Sequence, residues 1–326
     1  MKRQMLVWTG SAVLAVAALA PAAAHAQGPD PTGAEATVPG TSKKITAAAA
    51  SACFVWQGSV TATGQHGFAD PTATTPPTVP DKWATDGVYK PGQIRLSARQ
   101  TIEPNIAGTD RSGYVVSGDT LYWSFYSVDG TGEIDPAGPP ALQRIGAGWR
   151  RFTFLENSEY ESPDGQTPKV YHSNAYALRN DGVLYRWNVT GSGWKATGSY
   201  PGFASVKTMT LIAKTRTYDT FLANTRGGAL YTIRIPLTSP MKPIIKQVRT
   251  RTWQGFETLS AMDCGQYGTL LLGIDKDTKK GYLYAVGHAN GLSTVVQSRG
   301  EAPGTFDAPV DFRWVPISLY DTANGE

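Results

Sequence analysis

Residues 176–185 read Tyr-Ala-Leu-Arg-Asn-Asp-Gly-Val-Leu-Tyr, two runs of β-favouring residues on either side of a short polar turn. Tyr, Leu and Val suit the pleated surface of a strand. Asn, Asp and Gly tolerate the positive φ angles that a tight turn between two antiparallel strands requires. This stretch therefore predicts a β-hairpin.

The same pattern recurs along the chain. Copies that end in a Leu-Tyr pair occupy residues 114–122, 176–185, 221–231 and 271–284, and their Leu positions lie 63, 46 and 53 residues apart. An aromatic motif recurs in phase with the hairpins, at 148–152, 202–203 and 253–256, and residues 311–314 stand where a fifth copy is due. A unit of about 50 residues with several strands has the size of a propeller blade.

The predicted fold class is all-β, because no segment sustains the 3.6-residue apolar period of a helix. We expect a β-propeller of five blades, each a four-stranded antiparallel sheet. Four hairpins, the terminal remnant and a strand near Cys53 account for the five. In that arrangement the N-terminal strands join the C-terminal strand to complete the last blade, which leaves no open sheet edge between the first and last blades.

The N-terminus carries the pattern of an export signal. Lys2 and Arg3 precede an apolar run over 6–20, and Ala24-His25-Ala26 fits the small-residue pattern before a cleavage site. We therefore assign residues 1–26 to a signal peptide, 27–50 to a flexible linker or docking tail, and 51–326 to the propeller domain. The mature product is expected to be secreted and extracellular.

Charge and motif content exclude several classes of partner. Removal of the signal lowers the formal net charge from +4 to +2, and no Lys/Arg stripe remains, so we expect no nucleic acid as partner. No later stretch is apolar enough to span a bilayer, so no membrane insertion is expected. His66, His172 and His288 lack metal-ligand spacing, and no phosphate-binding Gly-rich loop precedes a helix, so we expect no metal and no cofactor.

The chain contains two cysteines, Cys53 and Cys264, both after the signal. Because a disulfide persists in an oxidising compartment, we favour a bridge between them that pins the N-terminal segment to a distant part of the fold. Two buried free thiols are the alternative.

Residues 145–155, Ile-Gly-Ala-Gly-Trp-Arg-Arg-Phe-Thr-Phe-Leu, and residues 181–187, Asp-Gly-Val-Leu-Tyr-Arg-Trp, resemble the blade signature of the tachylectin-type lectins. This resemblance implies five blades and small pockets that bind N-acetylated amino sugars. It implies glycans on a cell surface or in the surrounding matrix as partners.

Sugar recognition needs an aromatic face against the C–H patch of the ring and a few fixed polar groups for its hydroxyls or acetamide. The candidate ligand-binding residues combine aromatic side chains with polar residues at hairpin turns; they are Trp149, Asn180, Asp181, Tyr185, Trp187, Trp194, Asn224, Arg226, Tyr231 and Trp253. The alternative is that the aromatic residues pack blade against blade and that the polar residues serve turn geometry.

Two other functions stay open. One is a non-catalytic scaffold that mediates protein–protein interaction in a secreted complex, with a secreted protein as partner. The other is a five-bladed glycoside hydrolase, which would need an acid and a base carboxylate near the central channel. The carboxylates available for that role are Asp110, Asp129, Glu156, Asp181 and Asp275. Because no catalytic motif is present, we expect that the protein is not an enzyme.

Overall fold

The computed structural model describes residues 52–163, 169–191, 193–316 and 322–326. The assigned signal peptide and linker lie outside the described residues, so their boundaries stay predictions. Within the described part the regular structure consists of β-strands and one 3₁₀ turn at Gly291–Ser293. In the same part, no helix is long and apolar enough to cross a membrane.

The strands, numbered in chain order, are β1 (Gln57–Val60), β2 (His66–Ala69), β3 (Lys82–Thr85), β4 (Leu96–Pro104), β5 (Gly108–Ser117), β6 (Thr120–Asp129), β7 (Ala141–Ala147), β8 (Phe152–Glu161), β9 (Tyr171–Arg179), β10 (Leu184–Thr190), β11 (Gly193–Tyr200), β12 (Val206–Lys214), β13 (Tyr218–Thr225), β14 (Leu230–Pro236), β15 (Ile244–Arg249), β16 (Thr258–Asp263), β17 (Thr269–Asp275), β18 (Lys280–Val286), β19 (Val296–Ala302) and β20 (Val310–Val315).

These strands form five antiparallel blades. The first blade is β4–β7, the second β8–β11, the third β12–β15 and the fourth β16–β19. The fifth is β20, β1, β2 and β3, in that order. Strand β20 also pairs in parallel with β4, through Trp314–Gln100 and Val315–Thr101 alone, where the fifth blade meets the first. The prediction of a five-bladed propeller is confirmed.

The last blade closes the ring with strands from both ends of the chain, as predicted. Strand β1 pairs antiparallel with β20, which places Gly58 opposite Phe312. A Cβ at Gly58 would lie 2.1 Å from a carbon of the Phe312 ring. The closure therefore requires a residue without a side chain at this position.

The predicted disulfide is present and reinforces this closure. Cys53 and Cys264 are bonded, with their Cα atoms 5.6 Å apart. Cys53 precedes β1 of the fifth blade, and Cys264 follows β16, the inner strand of the fourth. The bridge therefore ties the N-terminal segment of the closing blade to the fourth blade.

One aromatic residue marks the entry into each blade. Its backbone N–H donates to a carbonyl at a hairpin of the preceding blade, as in Trp149 to Asp119 and Phe306 to Lys279. The five residues in this position are Tyr89, Trp149, Phe203, Trp253 and Phe306. The prediction that residues 311–314 are the fifth copy of the aromatic motif is wrong, because those residues lie inside β20 and Phe306 occupies the entry position.

Neighbouring blades pack through apolar side chains. Between the second and third blades, for example, the buried cluster contains Tyr176, Leu184, Met209 and Phe221, none of which is more than 2% exposed. Burial of this kind stabilises by about 25 cal/mol per Å² of apolar surface. The blades are thereby held rigidly around the central channel.

Candidate functional site

The aromatic residues predicted for the second blade lie together at its junction with the first. The ring centroids of Trp149 and Trp187 are 5.5 Å apart, those of Trp149 and Trp194 are 5.7 Å apart, and those of Trp187 and Tyr185 are 5.6 Å apart. Phe152 packs against Trp149 at 4.7 Å. Four of the ten predicted residues therefore lie together. Trp149 comes from the motif that begins the blade, and the pairing of β10 with β11 brings Tyr185, Trp187 and Trp194 beside it.

This cluster lines what we call the 1/2 cleft, a cavity of about 440 Å³ between the outer strand of the first blade and the outer strands of the second. Trp149, Trp187 and Trp194 form its aromatic side, and the exposed side chains of Gln143 and Arg144 stand on the opposite strand β7. The opening of this cleft is unobstructed where glycines border it. No atom lies within 4 Å of the position that a Cβ would take at Gly146, Gly148, Gly191 or Gly193.

The other predicted polar residues of the second blade are used within the hairpin turn. Arg179 and Arg151 both pair with Asp181, and Arg151 also donates to Oδ1 of Asn180 at 3.2 Å. The pKa of Asp181 is lowered, chiefly by its hydrogen bond from Arg179. Asn180 and Asp181 therefore hold the turn, as the alternative interpretation expected, and the structure does not bring them to the 1/2 cleft.

The predicted residues of the third and fourth blades are likewise engaged in packing. Asn224 is fully buried and donates to the carbonyls of Trp253 at 2.7 Å and Phe256 at 2.9 Å. Arg226 donates to two carbonyls of the strand entry, at Ala204 and Val206. Tyr231 accepts a hydrogen bond from Gln247 at 3.3 Å, and Trp253 is 5% exposed. Asn224 and Trp253 thus join the third and fourth blades, and Arg226 and Tyr231 bond within the third. None of the four lines the 1/2 cleft.

Two further clefts are likewise lined by the entry residue of a blade. The 4/5 cleft, about 490 Å³, lies between the segment after β19 and the fifth blade, and is lined by Phe306, Phe68 and Trp83. The rings of Phe68 and Trp83 stack at 5.0 Å. The 5/1 cleft, about 310 Å³, is lined by Tyr89 and Leu142 among others. The sequence motif did not reveal these residues, because Trp83 and Phe306 lie far apart in the chain. The Gly-x-aromatic run at 304–306 is the sequence feature that could have identified Phe306 as an entry residue.

The central channel contains a separate polar cavity of about 310 Å³, the channel mouth, to which all five inner strands contribute. Each inner strand supplies polar residues to its lining; among them are Arg99, Glu156, Thr210, Ser260 and Arg313. Arg99, Glu156, Ser260 and Arg313 are all less than 8% exposed. Such depth makes charge interactions here stronger than at the surface.

Three carboxylates border the channel mouth, and each has partners within the protein. Glu156 accepts the backbone N–H groups of Arg99 at 3.2 Å and Asn157 at 2.9 Å. Burial raises the pKa of Glu156, and the charges of Arg313 and Arg99 oppose that rise.

Asp311 accepts from Thr258 at 2.9 Å and pairs with Lys276, and burial raises the pKa of Asp311 as well. Glu257 pairs with Lys207. The arrangement is a charge network with polar atoms facing a cavity, suited to binding a polar molecule.

Of the five carboxylates proposed for hydrolysis, only Glu156 lines the channel mouth. Asp129 and Asp275 accept hydrogen bonds from neighbouring turn residues, and Asp110 accepts from Ser127 and Asn105. Glu257 and Asp311 were not predicted, because their approach depends on the closure of the ring.

No family model and no curated protein matches the chain. Solved structures do resemble it. The α-L-arabinofuranosidase from Podospora anserina in complex with cellotriose is 13% identical, with a TM-score of 0.42, over 70% of this chain and 74% of that one. The periplasmic gluconolactonase of Pseudomonas aeruginosa is 9% identical, with a TM-score of 0.36, over 76% of this chain and 96% of that one. The fission yeast SREBP–SCAP binding domains are 10% identical, with a TM-score of 0.30, over 82% of this chain and 83% of that one.

These similarities concern the fold and transfer no activity. The expectation that the protein is not an enzyme is corrected: it rested on a missing sequence motif alone, and two of the three structures are enzymes by name. The absence of a sequence motif did not justify that exclusion. None of the three is a tachylectin, so the lectin resemblance stays a prediction.

Proposed function

We propose that this chain is a carbohydrate-binding β-propeller that holds a sugar ring in the 1/2 cleft. The observation that supports it most strongly is the set of three Trp rings, Trp149, Trp187 and Trp194, beside one cavity of about 440 Å³. An aromatic face covers the C–H patch of a pyranose, while Gln143 and Arg144 offer hydrogen bonds to its hydroxyls. A cavity of this size suits a small ligand.

The sugar class we propose is the N-acetylated amino sugars, which rests on the resemblance of residues 145–155 and 181–187 to tachylectin-type lectins. An acetamide combines a methyl group, which packs on an indole face, with an amide that pairs with side chains such as Gln143. A neutral sugar without this group would lose both contacts.

The 4/5 and 5/1 clefts share with the 1/2 cleft an aromatic entry residue and otherwise have different linings. Phe306 and Trp83 replace the tryptophans in the 4/5 cleft, and Tyr89 stands in the 5/1 cleft. If each cleft binds one residue of a repetitive glycan, avidity exceeds the single-site affinity by about 10²–10⁴. We therefore propose glycans on a cell surface or matrix as the natural partner.

The disulfide between Cys53 and Cys264 is a feature of proteins that work in an oxidising compartment. Together with the predicted signal at 1–26, it supports secretion as the setting for glycan recognition.

A glycan array probed with the mature chain tests this proposal, with Trp194→Ala beside wild type. We expect N-acetylated glycans to retain wild type and the variant to lose at least about tenfold in affinity. Tyr267→Ala removes an exposed aromatic side chain elsewhere and serves as the matched control. Should Trp194→Ala fold poorly, Gln143→Ala on the exposed rim replaces it. Wild type that binds no glycan would overturn the proposal.

A second candidate function is protein recognition by the outer edge of the third blade. Ile244 and Ile245 on β15 are 48% and 49% exposed, and Leu292 and Val295 in the segment beside β15 are 66% and 57% exposed. Exposed apolar side chains on one edge are typical of a protein-binding surface. Ile244→Lys with Ile245→Lys should abolish co-purification of a protein partner and leave glycan binding intact; unchanged co-purification would exclude this surface.

A further inference from the structure

Positive charge is concentrated in one part of this chain. Residues 182–256, which run from β10 through β15 to the entry of the fourth blade, contain eleven Lys and Arg and a single carboxylate, Asp219. Asp219 is fully buried, so it does not offset this charge at the surface. Because the chain without its signal carries only +2, the other residues carry an excess of negative charge. Such an uneven distribution indicates a surface that meets an anionic partner.

Part of this positive charge is used inside the fold. Two of the eleven cations form ion pairs with carboxylates and two more donate to backbone carbonyls; the four are Lys207, Arg234, Arg186 and Arg226. Lys242, Lys246 and Arg251 are instead exposed on or beside β15, the outer strand of the third blade. No carboxylate in the described parts of the chain pairs with these three. This edge therefore presents cations to solvent that the protein does not neutralise.

Large aliphatic side chains are exposed among these cations. Ile244 and Ile245 on β15 are 48% and 49% exposed, and Leu292 and Val295 are 66% and 57% exposed. Neighbouring residues of a strand point to opposite faces, so Ile244 and Ile245 flank the outer edge of the blade on both sides.

The two segments that carry these side chains form one surface. The 3₁₀ turn Gly291–Ser293 packs against β15, and Nη2 of Arg249 donates to the carbonyl of Thr294 at 2.9 Å. We call this surface, residues 242–251 and 291–295, the blade-three rim. The blade-three rim contains no Asp or Glu.

The composition of the blade-three rim favours a lipid surface over the protein partner considered above. Protein interfaces are enriched in aromatic residues and depleted in Lys, whereas this surface combines aliphatic side chains with Lys. None of its four exposed apolar side chains lines one of the four cavities described above. A bilayer needs no pocket, because aliphatic side chains enter the boundary between headgroups and acyl chains while Lys and Arg reach anionic headgroups.

From the unneutralised cations and the aliphatic side chains among them, we propose that the blade-three rim adsorbs to a membrane surface that carries anionic lipids. The four aliphatic side chains lie at the boundary between headgroups and acyl chains, and Lys242, Lys246 and Arg251 contact the lipid phosphates. Adsorption of this kind needs no membrane-spanning segment. It is separate from the 1/2 cleft and adds a second attachment to a surface that bears glycans.

Vesicle flotation of the mature chain at low salt tests the proposal. The probes are vesicles of phosphatidylcholine alone and vesicles of an equal mixture of phosphatidylcholine and phosphatidylglycerol. We expect the mixture to bind the protein at least about tenfold more tightly. Salt at about 1 M, where the Debye length is about 3 Å, should weaken that binding. Equal binding to the two kinds of vesicle, or binding to neither, overturns the proposal.

One pair of variants tests the apolar side chains. Leu292→Ser with Val295→Ser removes two aliphatic side chains without a change of charge, and should weaken binding to the mixed vesicles by about tenfold or more. Ile106→Ser is the matched control, because Ile106 is exposed between β4 and β5 of the first blade, and it should bind as wild type does. Unchanged binding of the double variant would mean that these side chains do not enter the lipid, which overturns the proposal.

A second pair tests the cations. Lys242→Gln with Lys246→Gln should weaken binding to the mixed vesicles by about tenfold or more. Lys82→Gln with Lys90→Gln removes the same charge from exposed positions elsewhere and should change it little. Equal effects of the two pairs would show that overall charge, and not the blade-three rim, attracts the protein to the vesicles, which contradicts the proposal.

The outcome is independent of the glycan proposal. Trp194→Ala should leave vesicle binding unchanged, since the vesicles carry no sugar, so failure of the cleft proposal and failure of this one are distinguishable. If wild type ignores both kinds of vesicle and Ile244→Lys with Ile245→Lys loses a co-purifying protein, the blade-three rim binds protein and the membrane proposal is wrong.

Discussion

Trp149 and Phe306 occupy the same position in two copies of the repeat, and each lines a cleft between neighbouring blades. The backbone N–H of Trp149 donates to Asp119 at 3.1 Å, and that of Phe306 donates to Lys279 at 3.0 Å. The two hydrogen bonds place each ring at the entry of its blade, against the outer strands. The fold thus builds the same kind of pocket twice, with different aromatic residues.

Substitution of Gly58 should loosen the closing blade. A methyl group there would overlap the ring of Phe312, so we expect Gly58→Ala to lower the free energy of unfolding by about 1–3 kcal/mol. Gly227→Ala is the control, because Gly227 is exposed and has nothing within 4 Å of its Cβ position. Urea unfolding measures both; equal effects of the two substitutions would mean that the Gly58–Phe312 approach does not constrain the closure.

Removal of the disulfide should destabilise the ring. The bond joins residues 211 positions apart, and such a crosslink contributes about 2–5 kcal/mol by restricting the unfolded chain. We expect Cys53→Ser with Cys264→Ser to lose that amount in urea unfolding. Reductant should destabilise wild type similarly and leave the double variant unchanged. If reductant destabilised both proteins equally, its action would not be on this bond.

His66 should make stability depend on pH below its ordinary pKa near 6.5. The ring is fully buried, its Nδ1 lies 2.8 Å from the Tyr126 hydroxyl, and burial lowers the pKa of His66. The folded protein keeps this side chain neutral while the unfolded chain takes up a proton, so stability is retained above pH 6.5 and lost as pH falls below it.

His66→Asn keeps a partner for Tyr126 and removes this titration. The stability of wild type minus that of the variant, from urea unfolding between pH 7.5 and 5, should therefore fall by up to about 1.4 kcal/mol per pH unit. A difference that stays constant would show that His66 is not neutral in the fold.

Asp219 should act in the opposite direction. Its carboxylate accepts from Ser158 at 2.8 Å and Tyr176 at 2.7 Å, but burial raises the pKa of Asp219 above its ordinary value near 3.8. Because of this raised pKa, the folded protein binds the Asp219 proton more tightly than the unfolded chain does. The contribution of Asp219 to stability is therefore complete below pH 3.8 and is lost as the pH rises through the pKa of Asp219 in the folded protein.

Asp219→Asn cannot ionise, so the stability of wild type minus that of the variant should decrease as pH rises from about 4. Acid-range urea unfolding measures it. A difference that grows with pH would mean that the two hydrogen bonds outweigh burial.

The repeat was predictable because each hairpin is local. Leu121, Leu184, Leu230 and Leu283 all lie on the third strand of a blade, where the Leu-Tyr pairs predicted them. The closure was predictable as well, since five units with a fragment at each end can complete a ring only by joining those fragments.

The sites were less predictable, because they depend on residues far apart in the chain. Trp149, Trp187 and Trp194 lie within 46 positions of one another and were found together, but Trp83 and Phe306 were not. The lining of the channel mouth takes residues from each of five strands, from Arg99 to Arg313. No local pattern in the sequence shows which residue of each inner strand lies there.

Isothermal titration of N-acetylglucosamine and glucose into wild type and Trp194→Ala tests the carbohydrate-binding proposal most directly. We expect wild type to bind N-acetylglucosamine at least about tenfold more tightly than glucose, a difference of about 1.4 kcal/mol, and Trp194→Ala to lose most of that binding. Equal affinity of wild type and a folded Trp194→Ala for N-acetylglucosamine, or no binding to wild type, would contradict recognition of an N-acetylated sugar in the 1/2 cleft.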